Sequence, residues 1–247
     1  MPTVLPNKNL QLLPIDPWIP KILESLERCP LLVLQASPGS GKTTRVPPAL
    51  LRRLQRPTSV ETSGASEILV LEPRRVAAKY AARRVAEELG SQVGQEVGYQ
   101  FRFENATSAQ TKLRFLTEGM LMRRLLSDPK LVRTGTVIID EFHERHLHGD
   151  IALAYLKRLQ REDRPDLEII VMSATLDTQA ISAFLNQCPV ISVEAPRFPV
   201  ETDYLKTAPA RHLEWTVKEA VQRALDEENG DILVFLPGMA DIRRSAD

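Results

Sequence analysis

Leu31-Leu32-Val33-Leu34-Gln35-Ala36-Ser37-Pro38-Gly39-Ser40-Gly41-Lys42-Thr43-Thr44 runs from an apolar stretch through a glycine-rich turn into a helix-forming segment. The continuous apolar run Leu31 to Leu34 fits a strand buried on both faces, as in a parallel sheet. Glycines let the next stretch of backbone wrap closely around an anion, and a helix N-terminus adds its own amide donors and dipole. Lys42 would reach the β and γ phosphates of ATP, and the Thr43 hydroxyl would ligate Mg²⁺. Ser37, Pro38, Gly39, Ser40, Gly41, Lys42, Thr43 and Thr44 are the expected nucleotide contacts. The usual pattern opens on glycine, whereas this chain has Ala36, so that position has to tolerate a Cβ. A glycine-rich turn with a chance lysine is the alternative, and the flanking strand and helix argue against it.

Outward from this stretch, short apolar strands alternate with helical segments. Strands are expected at Glu67 to Leu71, Tyr99 to Glu104, Leu113 to Thr117, Thr136 to Asp140 and Leu167 to Met172. Helices are expected at Ile19 to Leu26, Thr43 to Leu54, Val76 to Leu89, Gly119 to Leu126, His148 to Leu159 and Thr178 to Phe184. Pro47 and Pro48 fit the second of these only near its first turn. This alternation predicts an α/β fold with a mostly parallel sheet covered on both faces, which binds ligands beyond the carboxyl ends of its strands. After an irregular N-terminal segment at 1–14, one domain is expected over 15–187. From 188 the pattern restarts, with strands at Val190 to Val193, Val200 to Tyr204 and Ile232 to Leu236 around a helix at Leu213 to Leu225. Sixty residues are few for such a domain, so 188–247 reads as the incomplete start of a second one.

Asp140-Glu141 closes the strand TVIID. A carboxylate there can hold the Mg²⁺ shell, and the next one is placed to orient and deprotonate an attacking water. A pair of surface acids is the bland alternative. The apolar strand before them and the continuation Phe142-His143-Glu144-Arg145 weigh against it. Ser173-Ala174-Thr175 follows the next strand; its hydroxyls either cap a turn or bond to His143 or Asp140 and report on the phosphates.

Lys plus Arg and Asp plus Glu number 32 each, which counts against capture of nucleic acid by the whole surface but leaves room for a local basic groove. The two cysteines, Cys29 and Cys188, suggest neither a disulfide framework nor a metal site. His143, His146 and His148 lack the spacing of a zinc site. With no apolar h-region near the start and no bilayer-length apolar run, a cytoplasmic protein without membrane contact is expected.

In order along the chain stand the phosphate loop, Leu71-Glu72-Pro73-Arg74-Arg75-Val76-Ala77-Ala78, Thr117-Glu118-Gly119, Asp140-Glu141-Phe142-His143 and Ser173-Ala174-Thr175. This series resembles the superfamily 2 helicases of the DEAH/RNA-helicase-A class, and within them the bacterial HrpB type. Local signs of that type are PGSGKTTRVP at 38–47, DEFHER at 140–145 and GDILVFLPG at 230–238. The resemblance implies RecA-like phosphate-loop NTPase domains that couple ATP hydrolysis to movement along single-stranded nucleic acid, RNA by the class name. It implies Lys42, Asp140, Glu141 and His143 as catalytic residues, with Thr43 and Asp140 on Mg²⁺ and Ser173 and Thr175 coupling the site to its surroundings. Arg74, Arg75, Arg102 and Thr117 would hold the strand, roles that suit guanidinium groups and hydroxyls. For Arg102 a salt bridge to Glu104 or Glu72 is the alternative. Arg84 matches the position of an arginine that stacks on adenine, although a solvated helical arginine would look the same.

By the same resemblance, a complete motor needs a second RecA-like domain with arginine fingers, and accessory domains. The chain is expected to bind nucleotide but to hydrolyse it poorly without them. A phosphate-loop ATPase that remodels a protein partner, or a truncated binder of nucleotide or RNA without catalysis, is the alternative.

Overall fold

The computed structural model describes residues 11–55, 66–175, 178–195, 199–204, 213–227 and 230–246. The chain divides into two units, 1–196 and 197–247. In the first, eight strands form one sheet: β1 (Leu31–Ala36), β2 (Glu67–Leu71), β3 (Val97–Gln100), β4 (Asn105–Ala106), β5 (Leu113–Leu116), β6 (Thr134–Ile139), β7 (Glu168–Ser173) and β8 (Val190–Val193). Their spatial order is β4-β3-β5-β2-β6-β7-β1-β8, and every neighbouring pair is parallel except β3 with β4. The α/β expectation holds.

Six helices accompany the sheet: α1 (Ile19–Arg28), α2 (Lys42–Leu54), α3 (Arg75–Glu88), α4 (Glu118–Ser127), α5 (Leu147–Glu162) and α6 (Thr178–Phe184). Two apolar clusters form around the central strands. One gathers Leu32, Leu34, Val70 and Ile138 with residues of α1, α2 and α3. The other gathers Val33, Leu71, Ile139 and Val171 with residues of α4, α5 and α6. Alternate residues of one strand enter opposite clusters, which is why β1, β2 and β6 read as unbroken apolar runs.

Three expectations change. Val190–Val193 was expected to open a second domain, yet β8 pairs with β1 along Val33↔Val190 to Ala36↔Val193 and completes the first sheet. The outer edge of β1 pairs with this run, as the register shows. The run expected over Tyr99 to Glu104 ends at Gln100, and the chain turns to pair Gln100 with Asn105 in a hairpin. Gly98 lies under that hairpin: a Cβ there would fall 2.3 Å from the Ala106 carbonyl oxygen. Because α2 begins at Lys42, Pro47 and Pro48 fall in its second turn rather than its first. Both are buried, and the amide hydrogens they lack leave the Thr43 and Thr44 carbonyls without their i+4 donors.

In the second unit, α7 (Leu213–Glu227) and α8 (Met239–Ala246) are helical. Residues 200–204 and 232–236 were expected to be strands, but no strand is present among the described residues of this unit. A strand is defined by a ladder, and no neighbour supplies one here.

The phosphate-loop helix is anchored by a buried arginine. Arg45, 8% exposed, pairs with Asp16 at 3.2 Å and with the equally buried Glu88 of α3, and it donates to the Gln11 carbonyl at 3.2 Å. Removing one partner of a buried pair leaves an uncompensated charge, at a cost of about 3–5 kcal/mol. Arg45→Ala should therefore lower stability by about that amount in urea unfolding. Arg28→Ala, which breaks the exposed i,i+4 pair with Glu24, should change it by no more than about 0.5 kcal/mol.

Candidate nucleotide and strand-binding site

The sheet order divides the polar motifs into two groups. The phosphate loop, the DEFH segment and the SAT segment follow β1, β6 and β7, which are adjacent. The segments with Arg74, Thr117 and Arg102 follow β2, β5 and β3, which are adjacent on the other side. All six leave the carboxyl edge of one sheet, where open α/β folds hold their ligands. The β2–β6 pair is the boundary between the groups.

In the phosphate loop, Gly39 and Gly41 take left-handed backbone at φ +76° and +92°. Gly41 caps α2 closely enough that a Cβ would lie 2.5 Å from Leu13 Cδ1. Among the described residues, no hydrogen bond engages the amides of Gly41, Lys42 and Thr43, as befits the start of a helix. These free donors, with the lysine beside them, suit a polyphosphate. Ser40 is fully buried with its hydroxyl unpartnered among the described residues. Ala36 is accommodated because it is the last residue of β1, opposite Val193, with its Cβ in the core.

Lys42, only 6% exposed, donates from Nζ to Glu141 Oε1 at 2.8 Å. The Thr43 hydroxyl donates to Asp140 Oδ2, and the Glu141 amide donates to Asp140 Oδ1 at 2.8 Å. A hydroxyl and a carboxylate in contact form an oxygen-only donor set that fits a hard divalent cation such as Mg²⁺. His143 Nε2 lies 3.3 Å from Glu141 Oε2, and His143 Nδ1 accepts the Ala174 amide hydrogen at 3.3 Å. With Nδ1 accepting, the neutral ring carries its proton on Nε2, toward Glu141. Glu141 itself has left-handed backbone, φ 50° and ψ 33°, at the head of a 3-10 turn spanning Phe142–Glu144.

The link from the SAT segment to His143 thus runs through a backbone amide, not through a hydroxyl. Ser173 is fully buried with its Oγ unpartnered among the described residues, and Thr175 is exposed.

Glu72 had entered the sequence reading only as a partner for Arg102. It stands one residue beyond β2, as Asp140 stands one beyond β6, and the register Leu71↔Ile139 sets the two side by side. Glu72 is 2% exposed, and burial pushes its carboxyl up to about 10, with the Asp140 charge and hydrogen bond adding to the shift. Burial raises the Asp140 carboxyl too, but Lys42, the Thr43 hydroxyl and the Glu141 amide oppose that shift, so of the two Glu72 is the one that holds the proton. The readable signal was an acid directly after the apolar run Ile68 to Leu71, which had to pair with another such run.

On the strand side, Arg74 precedes α3 and pairs with Glu144 Oε1 at 3.0 Å. Arg75 is exposed and has no partner among the described residues. Arg102 pairs with neither Glu104 nor Glu72; its guanidinium lies 5.0 Å from the Phe103 ring centre. Glu104 is instead engaged by Lys79 and by the Tyr99 hydroxyl at 2.7 Å. Arg102 also lines a cavity of about 980 Å³ with Arg114, Arg123, Arg124 and Arg133, so a locally basic surface exists in a chain of zero net charge. Thr117 stands at the N-terminus of α4 without a side-chain capping bond. Arg84 is 59% exposed and pairs with Glu88 at 2.7 Å within α3.

Comparison with known proteins adds to this geometry. Residues 18–184 match the family model of the DEAD/DEAH box helicases. The chain is 40% identical over 238 residues to "Probable ATP-dependent RNA helicase DHR2" of Saccharomyces cerevisiae, covering 96% of this chain and 32% of that one. It is 39% identical over 232 residues to "ATP-dependent RNA helicase HrpB" of Escherichia coli, covering 94% of this chain and 28% of that one. The crystal structure of the E. coli DEAH/RHA helicase HrpB is similar at a TM-score of 0.84 and 39% identity, over 95% of this chain and 29% of that one. The chain thus spans about a third of the length of these relatives.

The buried acid pair predicts a pH dependence. A carboxyl raised on folding binds its proton more tightly in the native state. Its stabilising contribution is complete below the unfolded value and is lost as pH rises toward the folded one. Relative to Glu72→Gln, the wild-type chain should lose up to about 1.4 kcal/mol per pH unit from roughly pH 5 upward. Urea midpoints of both proteins at several pH values measure this, and parallel curves would rule out a proton on Glu72.

Proposed function

The chain belongs to the DEAD/DEAH box helicase family, and from that premise we propose that it is part of an ATP-driven motor acting on single-stranded nucleic acid, with RNA as the substrate. The carrying observation is that one sheet edge gathers Lys42, Thr43, Asp140, Glu141 and His143 on one side of the β2–β6 boundary and Arg74, Arg75, Arg102 and Thr117 on the other. RNA is favoured because the relatives matched over nearly all of this chain are named RNA helicases.

Each side chain then has a task. The free amides of the phosphate loop receive the β and γ phosphates, and Lys42 exchanges Glu141 for them. Mg²⁺ would be held by the Thr43 hydroxyl and Asp140, and when bound it would offset phosphate charge. Glu141, relieved of Lys42, accepts a proton from the attacking water through Oε1, while the Nε2 hydrogen of His143 steadies Oε2. The amide of Ala174 fixes the His143 ring, so Ser173 to Thr175 couple the site to whatever packs beyond β7. Arg84 is offered for stacking on the adenine ring. A second RecA-like domain supplies transition-state charge from the opposite wall.

In the full-length protein, Lys42→Ala should weaken ATP binding strongly. Glu141→Gln should keep that binding and lower turnover by about 10²–10⁴-fold, the usual worth of a general base. Fluorescent-nucleotide binding and steady-state turnover with single-stranded RNA distinguish the two; a Glu141→Gln protein that keeps a tenth of wild-type turnover sinks the assignment. Arg75→Ala should weaken RNA of every sequence alike and reduce the slope of log affinity against log salt by about 0.7, one phosphate contact on a single strand.

A further inference from the structure

At the β2–β6 boundary the two halves of the site meet at the buried Glu72–Asp140 pair and, nearer the surface, at Glu144. Glu144 lies at the end of the 3-10 turn that Glu141 begins. Its Oε1 is 3.0 Å from Arg74 Nη2, and its Oε2 is 2.8 Å from His146 Nε2. Its own amide donates back to the Glu141 carbonyl at 3.0 Å. We infer that Glu144 is a positioning residue: by holding Arg74 it keeps the turn in the arrangement where Glu141 is tied to Lys42, and a strand phosphate that takes Arg74 releases both. The inference deepens the helicase reading above and rests on it.

The geometry has the features that such an exchange requires. Arg74 is 72% exposed at its side chain and Glu144 only 21%, so the arginine is the accessible member. A pair with one exposed partner is weak and salt-sensitive, so a polyanion can replace the carboxylate at little cost. Phosphate oxygens accept from guanidinium with the same fork geometry as a carboxylate, which makes the two direct competitors. The turn is also short and held under strain. Glu141 at φ 50° and Arg145 at φ 49° are both left-handed non-glycine residues at its two ends. Such backbone persists only while surrounding contacts impose it, and Glu144 supplies two of those contacts. Loosening it lets Glu141 change its angle to Lys42, 2.8 Å away. His143, in the same turn, carries the change to the Ala174 amide.

The test measures two quantities, RNA-free turnover and RNA affinity, neither of which would rise on loss of a merely structural carboxylate. In the full-length protein, a single-stranded RNA oligonucleotide reports affinity by fluorescence anisotropy, and ATP turnover is followed with and without it. Glu144→Gln should raise turnover without RNA and tighten RNA binding, each by about two- to fivefold, the range of a weak ion pair, and so shrink the stimulation by RNA. Arg74→Gln should raise RNA-free turnover similarly yet weaken RNA binding. The double variant should gain no further RNA-free turnover, because both changes open the same contact. Arg74 is exposed, so its variant tests the latch even if Glu144→Gln folds poorly. If wild-type turnover responds to RNA but both variants keep wild-type RNA-free turnover, the latch is overturned and the helicase reading stands. If turnover of the wild-type protein responds to neither single-stranded RNA nor DNA, the helicase reading falls and the latch with it.

Discussion

Parallel pairing of β2 with β6, Leu71 opposite Ile139, is the constraint on which the site depends. It aligns two strand ends so that Glu72 faces Asp140, and the segments beyond them bring Arg74 to Glu144. A slip of one residue would turn both strands' side chains to the wrong faces of a sheet that is buried on each side, so the apolar cores on either face fix the register. Chemistry at the carboxyl edge is therefore positioned by the packing of Val70, Ile138 and their neighbours.

Charge at this edge is balanced locally. Lys42 is nearly buried and pairs with Glu141, while Asp140 is supported by the Thr43 hydroxyl and the Glu141 amide. A third acid, Glu72, is tolerated in the same small volume by keeping its proton. Burial raises both adjacent carboxyls, and the donors around Asp140 leave Glu72 as the better proton holder. On the other side of the boundary, Arg75 and Arg102 are without a carboxylate partner among the described residues, while in the neighbouring cavity five arginines face two glutamates, with Arg114 and Arg124 both paired to Glu67. Zero net charge over the chain conceals this separation, because it sums surfaces that face different partners.

Much of the fold was legible because its signals are local. Apolar runs bounded by turn residues located β1, β2, β6 and β7, and a glycine-rich turn between strand and helix located the phosphate loop. The acids after β6 were legible for the same reason. Less local features were not legible. Val190–Val193 joined the first sheet at the outer edge of β1, a pairing that no run of four residues announces. Residues 232–236 have the composition of a strand and, among the described residues, no neighbouring strand to pair with. The hydroxyls of Ser173 and Thr175 drew attention by residue type, whereas the amide of Ala174 between them makes the contact with His143.

The sequence by itself determined which residues are candidates for the proposed chemistry, since side-chain type, glycine placement and order along the chain are written in it: Lys42, Thr43, Asp140, Glu141, His143 and the arginines after β2 and β3. Only the tertiary structure decided how they are paired. That Glu72 keeps a proton beside Asp140, that Lys42 rests on Glu141, and that Arg74 is held by Glu144 all follow from strand order and register. Those are set by burial summed over two cores, and such long-range packing has no signature within any single stretch of the chain.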